Sequence, residues 1–221
     1  IVAALPRLAG KTTYLTALLD FLPSSFQVVP TLGMAEDFSF LTQTDPRSTY
    51  ILVNELSPHM PMYMWDEPAM KLFEALEQGY ALGATIHAQE PQEILWQLAD
   101  YALQIPPRRL ALLHLFLMLH VARQGGRVIR RVESLAFVPK VNPSAREIPV
   151  LTLARWDPEK HSLVYADSPE VLQAVAQRVA IAQEELQREW TKRHEALKQF
   201  WERGIRSSGD LRADVEEFYA R

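Results

Sequence analysis

The apolar positions of this chain change rhythm along its length, and each change marks a different kind of element. Residues 1–5 form a short apolar run closed by Pro6. Leu15, Leu18, Leu19 and Leu22 then recur at helical spacing across 12–22 before Pro23 ends the repeat. The order predicts strand, loop, helix. Compact apolar runs at 26–29, at 50–53 with Thr49 ahead of it, and at 81–86 predict three more buried strands. Between the last two, Met70, Phe73 and Leu76 line one face of a helix over 68–78, which Gly79 ends. Another helix follows Pro91, with Ile94, Leu95, Leu98 and Leu103 on its buried side. Strands alternating with helices, without hairpin signals between them, indicate a parallel sheet with covered faces.

Further on the pattern alters. A run ending at Val121 meets an alternating run over 128–138 across Arg123-Gln124-Gly125-Gly126, which reads as a hairpin. A second hairpin is expected where 150–154 meets 162–165 across Asp157-Pro158-Glu159-Lys160. From Ser168 the chain reads as helical, with Ser168 as cap and Pro169 at the first helical position. Leu186, Trp190, Leu197 and Trp201 form a stripe there, and Gly204 and Ser207-Ser208-Gly209 interrupt it before a last helix with Leu211, Val215 and Phe218. The expectation is an α/β fold: a sheet domain over 1–166 and a helical appendage over 167–221.

Composition narrows the function classes. The 221 residues carry 23 Lys+Arg against 27 Asp+Glu, a net charge of −4, which argues against a protein that coats nucleic acid. With no cysteine, thiolate metal sites, disulfides and cysteine nucleophiles are excluded together. The longest apolar run, 110–121, includes His114 and His120 and has twelve residues, short of the roughly 20 that span a bilayer. Ile1 has no charged region and apolar segment behind it that would read as a signal peptide, and the expectation is that it begins a fragment.

The sharpest chemical feature is Leu5-Pro6-Arg7-Leu8-Ala9-Gly10-Lys11-Thr12, placed between a strand and a helix. A phosphate-binding loop has Gly-Lys-Thr there: backbone N–H groups and the helix N-terminus cradle phosphate, Lys reaches the β and γ phosphates, and the Thr hydroxyl holds magnesium. Leu5 and Leu8 stand where that motif favours glycine, so the match is partial, and a helix start with an incidental Lys is an equal reading of the loop alone. The strand ending in Asn54-Glu55 offers a general base in Glu55, or simply a solvated acid. His87, in Thr85-Ile86-His87-Ala88, leaves the sheet at the same carboxyl edge, where parallel sheets place ligands, although a lone His is more often structural. Glu36-Asp37 could position magnesium or water, or be ordinary loop acidity.

Together these residues resemble the motor ATPases of type II and type IV secretion and of pilus systems, with their RecA-like domain. Ala9-Gly10-Lys11-Thr12-Thr13 resembles their Walker A ending, Ala35-Glu36-Asp37 their Asp box, and Ile51-Leu52-Val53-Asn54-Glu55 their Walker B strand. The stretch from Gly79-Tyr80 to Thr85-Ile86-His87-Ala88 is similar to their His box, and residues 193–219 to the helical end of the archaeal branch. The resemblance implies ATP and Mg2+ as ligands, with Ala9, Gly10, Lys11, Thr12 and Thr13 around the nucleotide and Thr12 and Asp37 toward the metal. It implies Glu55 as the base, with Glu36 assisting and His87 sensing the γ phosphate. It further implies self-association into a ring, a hexamer, with an inner-membrane platform protein as partner, no nucleic acid, and a place at the cytoplasmic face of the membrane.

The departures from that pattern are specific. Asn54 stands where the family has Gly, and Ser57 about where it has Arg. Residues 37–50 are too few for the helix the family has there, while 57–66 reads as an insert rich in Met and aromatics: either a contact surface or a loop folded on its own core. The family's N-terminal domain, which supplies arginines and subunit contacts, lies outside this sequence. A degenerate assembly module that does not hydrolyse ATP is the alternative, and a RecA-like nucleic-acid motor is disfavoured by the acidic balance.

Overall fold

Five strands run parallel in the order β2-β3-β4-β1-β5, and β6, β7 and β8 extend the same sheet antiparallel. They are β1 (Val2–Ala3), β2 (Gln27–Pro30), β3 (Thr49–Leu56), β4 (Ala81–Ile86), β5 (Leu115–Gln124), β6 (Arg127–Phe137), β7 (Leu151–Asp157) and β8 (Ser162–Tyr165). This computed structural model describes residues 1–6, 8–100, 102–142, 145–166 and 168–220. The helices are α1 (Lys11–Leu19), α2 (Asp66–Glu77), α3 (Pro91–Ala99), α4 (Pro107–Leu110), α5 (Pro169–Val179), α6 (Gln183–Glu202) and α7 (Ser208–Ala220).

Alternation along the inner strands sorts their side chains onto two faces. Ala3, Ile51, Val53, Ala84, Ile86, Phe116 and Met118 point to the face that α2, α3 and α4 cover with Leu72, Phe73, Ile94, Leu98 and Leu110. Val2, Ala4, Leu52, Leu117 and Leu119 point to the other face, where Leu15 and Leu19 of α1 pack. Burial on both sides explains why these strands read as continuous apolar runs. Phe73, Leu72, Leu98 and Phe116 are fully buried, so each side chain contributes about 1.5–3 kcal/mol by leaving water.

Local chemistry fixes the ends of the elements. Asp66 and Glu67 in the first turn of α2 complement its positive end, and Pro91 begins α3 with the φ it already has. The Ser168 side chain accepts from the Val171 N–H at 3.3 Å and caps α5. Between β2 and β3 only short 3-10 turns occur, at Gly33–Ala35, Ser39–Thr42 and Pro46–Ser48, in keeping with a segment too short for a long helix.

The insert folds onto the body. The Ser57 N–H donates to the Met64 carbonyl at 3.1 Å, the Met64 N–H to Glu55 at 2.9 Å, and the Met34 N–H to Pro61 at 3.0 Å. A Cβ on Gly33, whose φ is 68°, would lie 2.4 Å from the Met62 carbonyl carbon, so this close approach requires glycine. Met64 and Trp65 are buried beneath it while Met60 and Met62 remain exposed, so the insert is core at one end and surface at the other.

The helical end divides where the sequence shows no glycine or proline. Ala180 adopts φ 57° and separates α5 from α6. No residue of α6 is buried, and Trp190, Leu197 and Trp201 of its apolar stripe are largely exposed. The appendage is nevertheless tied back at both ends. The Arg178 guanidinium donates to the Ala111 carbonyl at 2.7 Å, and Ser208 and Arg212 of α7 both reach Asp20 at the end of α1. The expected boundary between 166 and 167 falls at Asp167, outside the described residues.

Candidate functional site

Because the five parallel strands share one direction, the loops after β1, β3 and β4 emerge at one edge. In the strand order, β4 lies between β1 and β3. The loop carrying Gly10-Lys11-Thr12, the strand end carrying Glu55 and the strand end carrying His87 are therefore neighbours in space. They line a cleft of about 1330 Å³, together with Thr13, Tyr14 and residues of β6.

The loop leading to α1 is tightly held. Leu8 adopts φ 60° with its side chain almost fully exposed, a left-handed conformation that costs a leucine roughly 1–2 kcal/mol. Its carbonyl accepts a 2.9 Å bond from the Arg130 Nε–H on β6. Ala9 is buried, and Gly10 precedes the helix with φ 91°. No side chain caps α1 and no acidic residue occupies its first turn. The helix thus presents unpaired N–H groups and its positive end to the cleft, a favourable place for an anion. Arg7 lies outside the described residues.

Three side chains meet at the floor. The Lys11 ammonium stands 3.5 Å from Glu55 Oε2 and 3.3 Å from His87 Nε2. His87 Nδ1 lies 3.0 Å from the Leu5 carbonyl, which can only accept, so Nδ1 donates there and Nε2 is the ring nitrogen turned toward Lys11 and Glu55. Nε2 is also 3.8 Å from Glu55 Oε1. Burial lowers the Lys11 pKa, against the opposing pull of the Glu55 charge and hydrogen bond. Glu55 is itself buried. Its Oε2 accepts from Thr85 Oγ1 at 2.6 Å, whereas Oε1 has no hydrogen-bond partner. A buried carboxylate oxygen without a donor is costly, and it leaves Glu55 with an acceptor to offer in the cleft.

The backbone aims Glu55 into this position. Val53 pairs with Ala84 and Leu56 with Ile86, so β3 spends three steps where β4 spends two, a bulge at Asn54-Glu55. Strict alternation would put Glu55 rather than Leu56 on the face of Ile51 and Val53, yet Leu56 packs there with them. The single Thr85 hydroxyl hydrogen is shared between Glu55 Oε2 and the Asn54 carbonyl, which holds the bulge. His87 is steadied from behind by Gln97 of α3, whose Nε2 donates to the His87 carbonyl at 2.8 Å.

Glu36 and Asp37 are not among the residues that line the cleft. The Glu36 carboxylate accepts from the Leu32 and Phe38 N–H groups at 2.8 and 3.0 Å, and Asp37 accepts from Ser39 N–H at 2.8 Å. Both shape their own loop. Thr12 and Thr13 are exposed in the first turn of α1 and line the cleft. Among the described residues no group of three His, Asp or Glu side chains is arranged to hold a metal. Ser57 and His59 of the insert hydrogen-bond each other at the cleft wall. The sequence reading passed over Thr85 and Arg130. The signal for Arg130 is the Arg130-Arg131 pair interrupting an apolar strand, since a charge there must face water or a polar cleft.

The chain is similar to the uncharacterized protein MJ1287 of Methanocaldococcus jannaschii, with 25% identity over 215 residues that cover 86% of this chain and 77% of that one. Among solved structures it is similar to the VirB11 ATPase of the Brucella suis type IV secretion system in complex with sulphate. That likeness has a TM-score of 0.44 and 18% identity, and covers 62% of this chain. The match spans 48% of the VirB11 chain, about half its length. No protein-family model matches.

Proposed function

We propose that this chain is a RecA-like nucleotide-binding motor domain that hydrolyses ATP, of the kind that drives protein export or filament assembly. The observation that carries the reading is the meeting of Lys11, Glu55 and His87 at the carboxyl edge of the sheet, below the uncapped N-terminus of α1. A cation, an acid with a bare oxygen and free backbone donors are what in-line attack on a phosphate requires. The motif resemblance supports the secretion and pilus assignment.

The residues divide the work by chemistry. The ammonium of Lys11 and the N–H groups of Lys11, Thr12 and Thr13 bind the phosphate tail. When phosphate oxygens engage Lys11, its bond to Glu55 Oε2 is exchanged, and the carboxylate becomes free to take a proton from water. His87, bonded to the Leu5 carbonyl, spans the loop and Glu55, and so reports the position of Lys11 to the base. The unpartnered Glu55 Oε1 and the Thr12 hydroxyl fit a hydrated magnesium site, for which a cluster of carboxylates is unnecessary because Mg2+ keeps several waters and binds substrate phosphates. Bound there, the ion would neutralise phosphate charge, and Thr12 and Glu55 are the residues that would hold it. Asp37 and Glu36 enter this reading only if their loop rearranges. Ring formation through a nucleotide at the subunit boundary, and docking on a membrane platform protein, belong to the same proposal.

Calorimetric titration with ATP, with and without Mg2+, tests it. Saturable binding that strengthens with Mg2+, followed by phosphate release, is expected. Binding without any turnover in the assembled protein would instead favour the degenerate assembly module, in which Lys11 stays paired with Glu55. Absence of binding would remove the motor reading and leave the degenerate assembly module.

A further inference from the structure

We infer that Arg130, on the β-hairpin, is a second cation of the phosphate site, contributed by the chain to its own loop; the inference rests on the nucleotide reading above. On β6, Arg130 and Val132 are two residues apart and share a face, and Val132 packs with the α1-side core, so Arg130 is directed at the loop and the start of α1. It arrives there: its Nε–H donates to the Leu8 carbonyl, and its Cδ lies 3.8 Å from where a Cβ on Gly10 would stand. It lines the same cleft as Lys11 and Glu55.

Arg130 is only partly used where it stands, beside the loop and the start of α1. Arg131 has Glu133 at 3.4 Å and the Trp156 ring at 4.8 Å, and Arg109 has Glu74 and Glu77. No carboxylate among the described residues pairs with Arg130. One edge of its guanidinium is spent on Leu8, which leaves the terminal nitrogens as a fork for two oxygens. Lys11, by contrast, is shared between Glu55 and His87. A tail of several phosphates carries more charge than one lysine neutralises, and the loop has a single glycine, so fewer of its N–H groups turn toward the ligand. Arg130 supplies the missing charge and, through Leu8, holds the loop in the shape that receives it.

The probes are tripolyphosphate, which has the charge without the base, ATP, and adenosine, which has the base without the charge, each titrated calorimetrically into the 221-residue chain. Arg130→Ala should weaken tripolyphosphate and ATP about tenfold or more and leave adenosine unchanged. Arg130→Gln keeps an N–H for Leu8 but removes the charge and should lose as much, whereas Arg130→Lys should recover most of the affinity. Melting curves of all three variants check that each remains folded. If wild type binds ATP and Arg130→Gln matches it on tripolyphosphate, Arg130 only braces the loop and the inference is overturned while the nucleotide reading stands. If wild type binds neither ATP nor tripolyphosphate, the nucleotide reading itself fails.

Discussion

Lys11 is held between a carboxylate and an imidazole, and the cost of removing it can be separated from the cost of losing phosphate affinity. Lys11→Ala leaves the buried Glu55 charge with only the Thr85 hydroxyl as partner, so stability should fall by about 2 kcal/mol or more. ATP affinity should fall roughly 100-fold or more. Adding Glu55→Gln to that variant should restore the melting temperature without restoring ATP binding; recovery of both would mean that Lys11 acts only as the counter-ion of Glu55. Glu55→Gln alone preserves size and a bond with Thr85 but deletes the base. ATP binding should persist while turnover drops by roughly 100-fold or more, measured as phosphate release under saturating nucleotide. Unchanged turnover would move the base elsewhere, and His59 on the cleft wall would be the first place to look.

At the level of elements, the parts of the site that lie on regular strands were legible in the sequence, and the parts made by irregular backbone were not. The apolar runs at 50–53 and 81–86 predict strands whose ends carry Glu55 and His87, and parallel direction alone brings those ends together. The bulge at Asn54-Glu55 has no signature in one sequence, since it depends on how β3 and β4 pair, and pairing is tertiary. Glu36 and Asp37 stand apart from the cleft for a related reason: both follow a predicted strand, but backbone N–H groups nearby claim their carboxylates first. The break at Ala180 is likewise silent in sequence. The loop before α1 yields a prediction of its own. Leu8 is exposed and left-handed, so Leu8→Gly removes strain without removing packing, and even after the added freedom of the unfolded chain it should gain about 0.5 kcal/mol. Thermal denaturation reads this directly. A loss of stability instead would show that the leucine side chain contributes contacts along the cleft rim.

For the whole molecule, the question is what holds the helical appendage to the sheet domain, since α6 buries no residue of its own. Asp20 is the anchor. It sits at the carboxyl end of α1, where a negative charge is disfavoured by the helix dipole, and it is nearly buried, so it persists because α7 brings compensation. Ser208 Oγ donates to Oδ2 at 2.6 Å, and Arg212 donates to Oδ1 from Nε at 3.0 Å and from Nη2 at 2.6 Å. The Ser208 bond first, and the Arg212 bond and charge after it, hold the Asp20 carboxyl below the usual carboxylate range, with burial opposing them. A carboxyl whose pKa is depressed in the folded state adds stability that is complete above its unfolded value of about 3.9 and disappears as pH falls through the lower folded value. Acid should therefore loosen α7 from α1 locally. Hydrogen exchange of the amides over Ser208–Ala220 should accelerate below about pH 4 relative to those of β3 and β4. Asp20→Asn should already exchange fast there at neutral pH and show little further change on acidification. Arg212→Ala should fall between the two, because Ser208 still reaches the carboxylate and the arginine is mostly exposed. If acid releases β3 and β4 together with α7, the sheet and the appendage unfold as one unit and the Asp20 contact is not a separable latch.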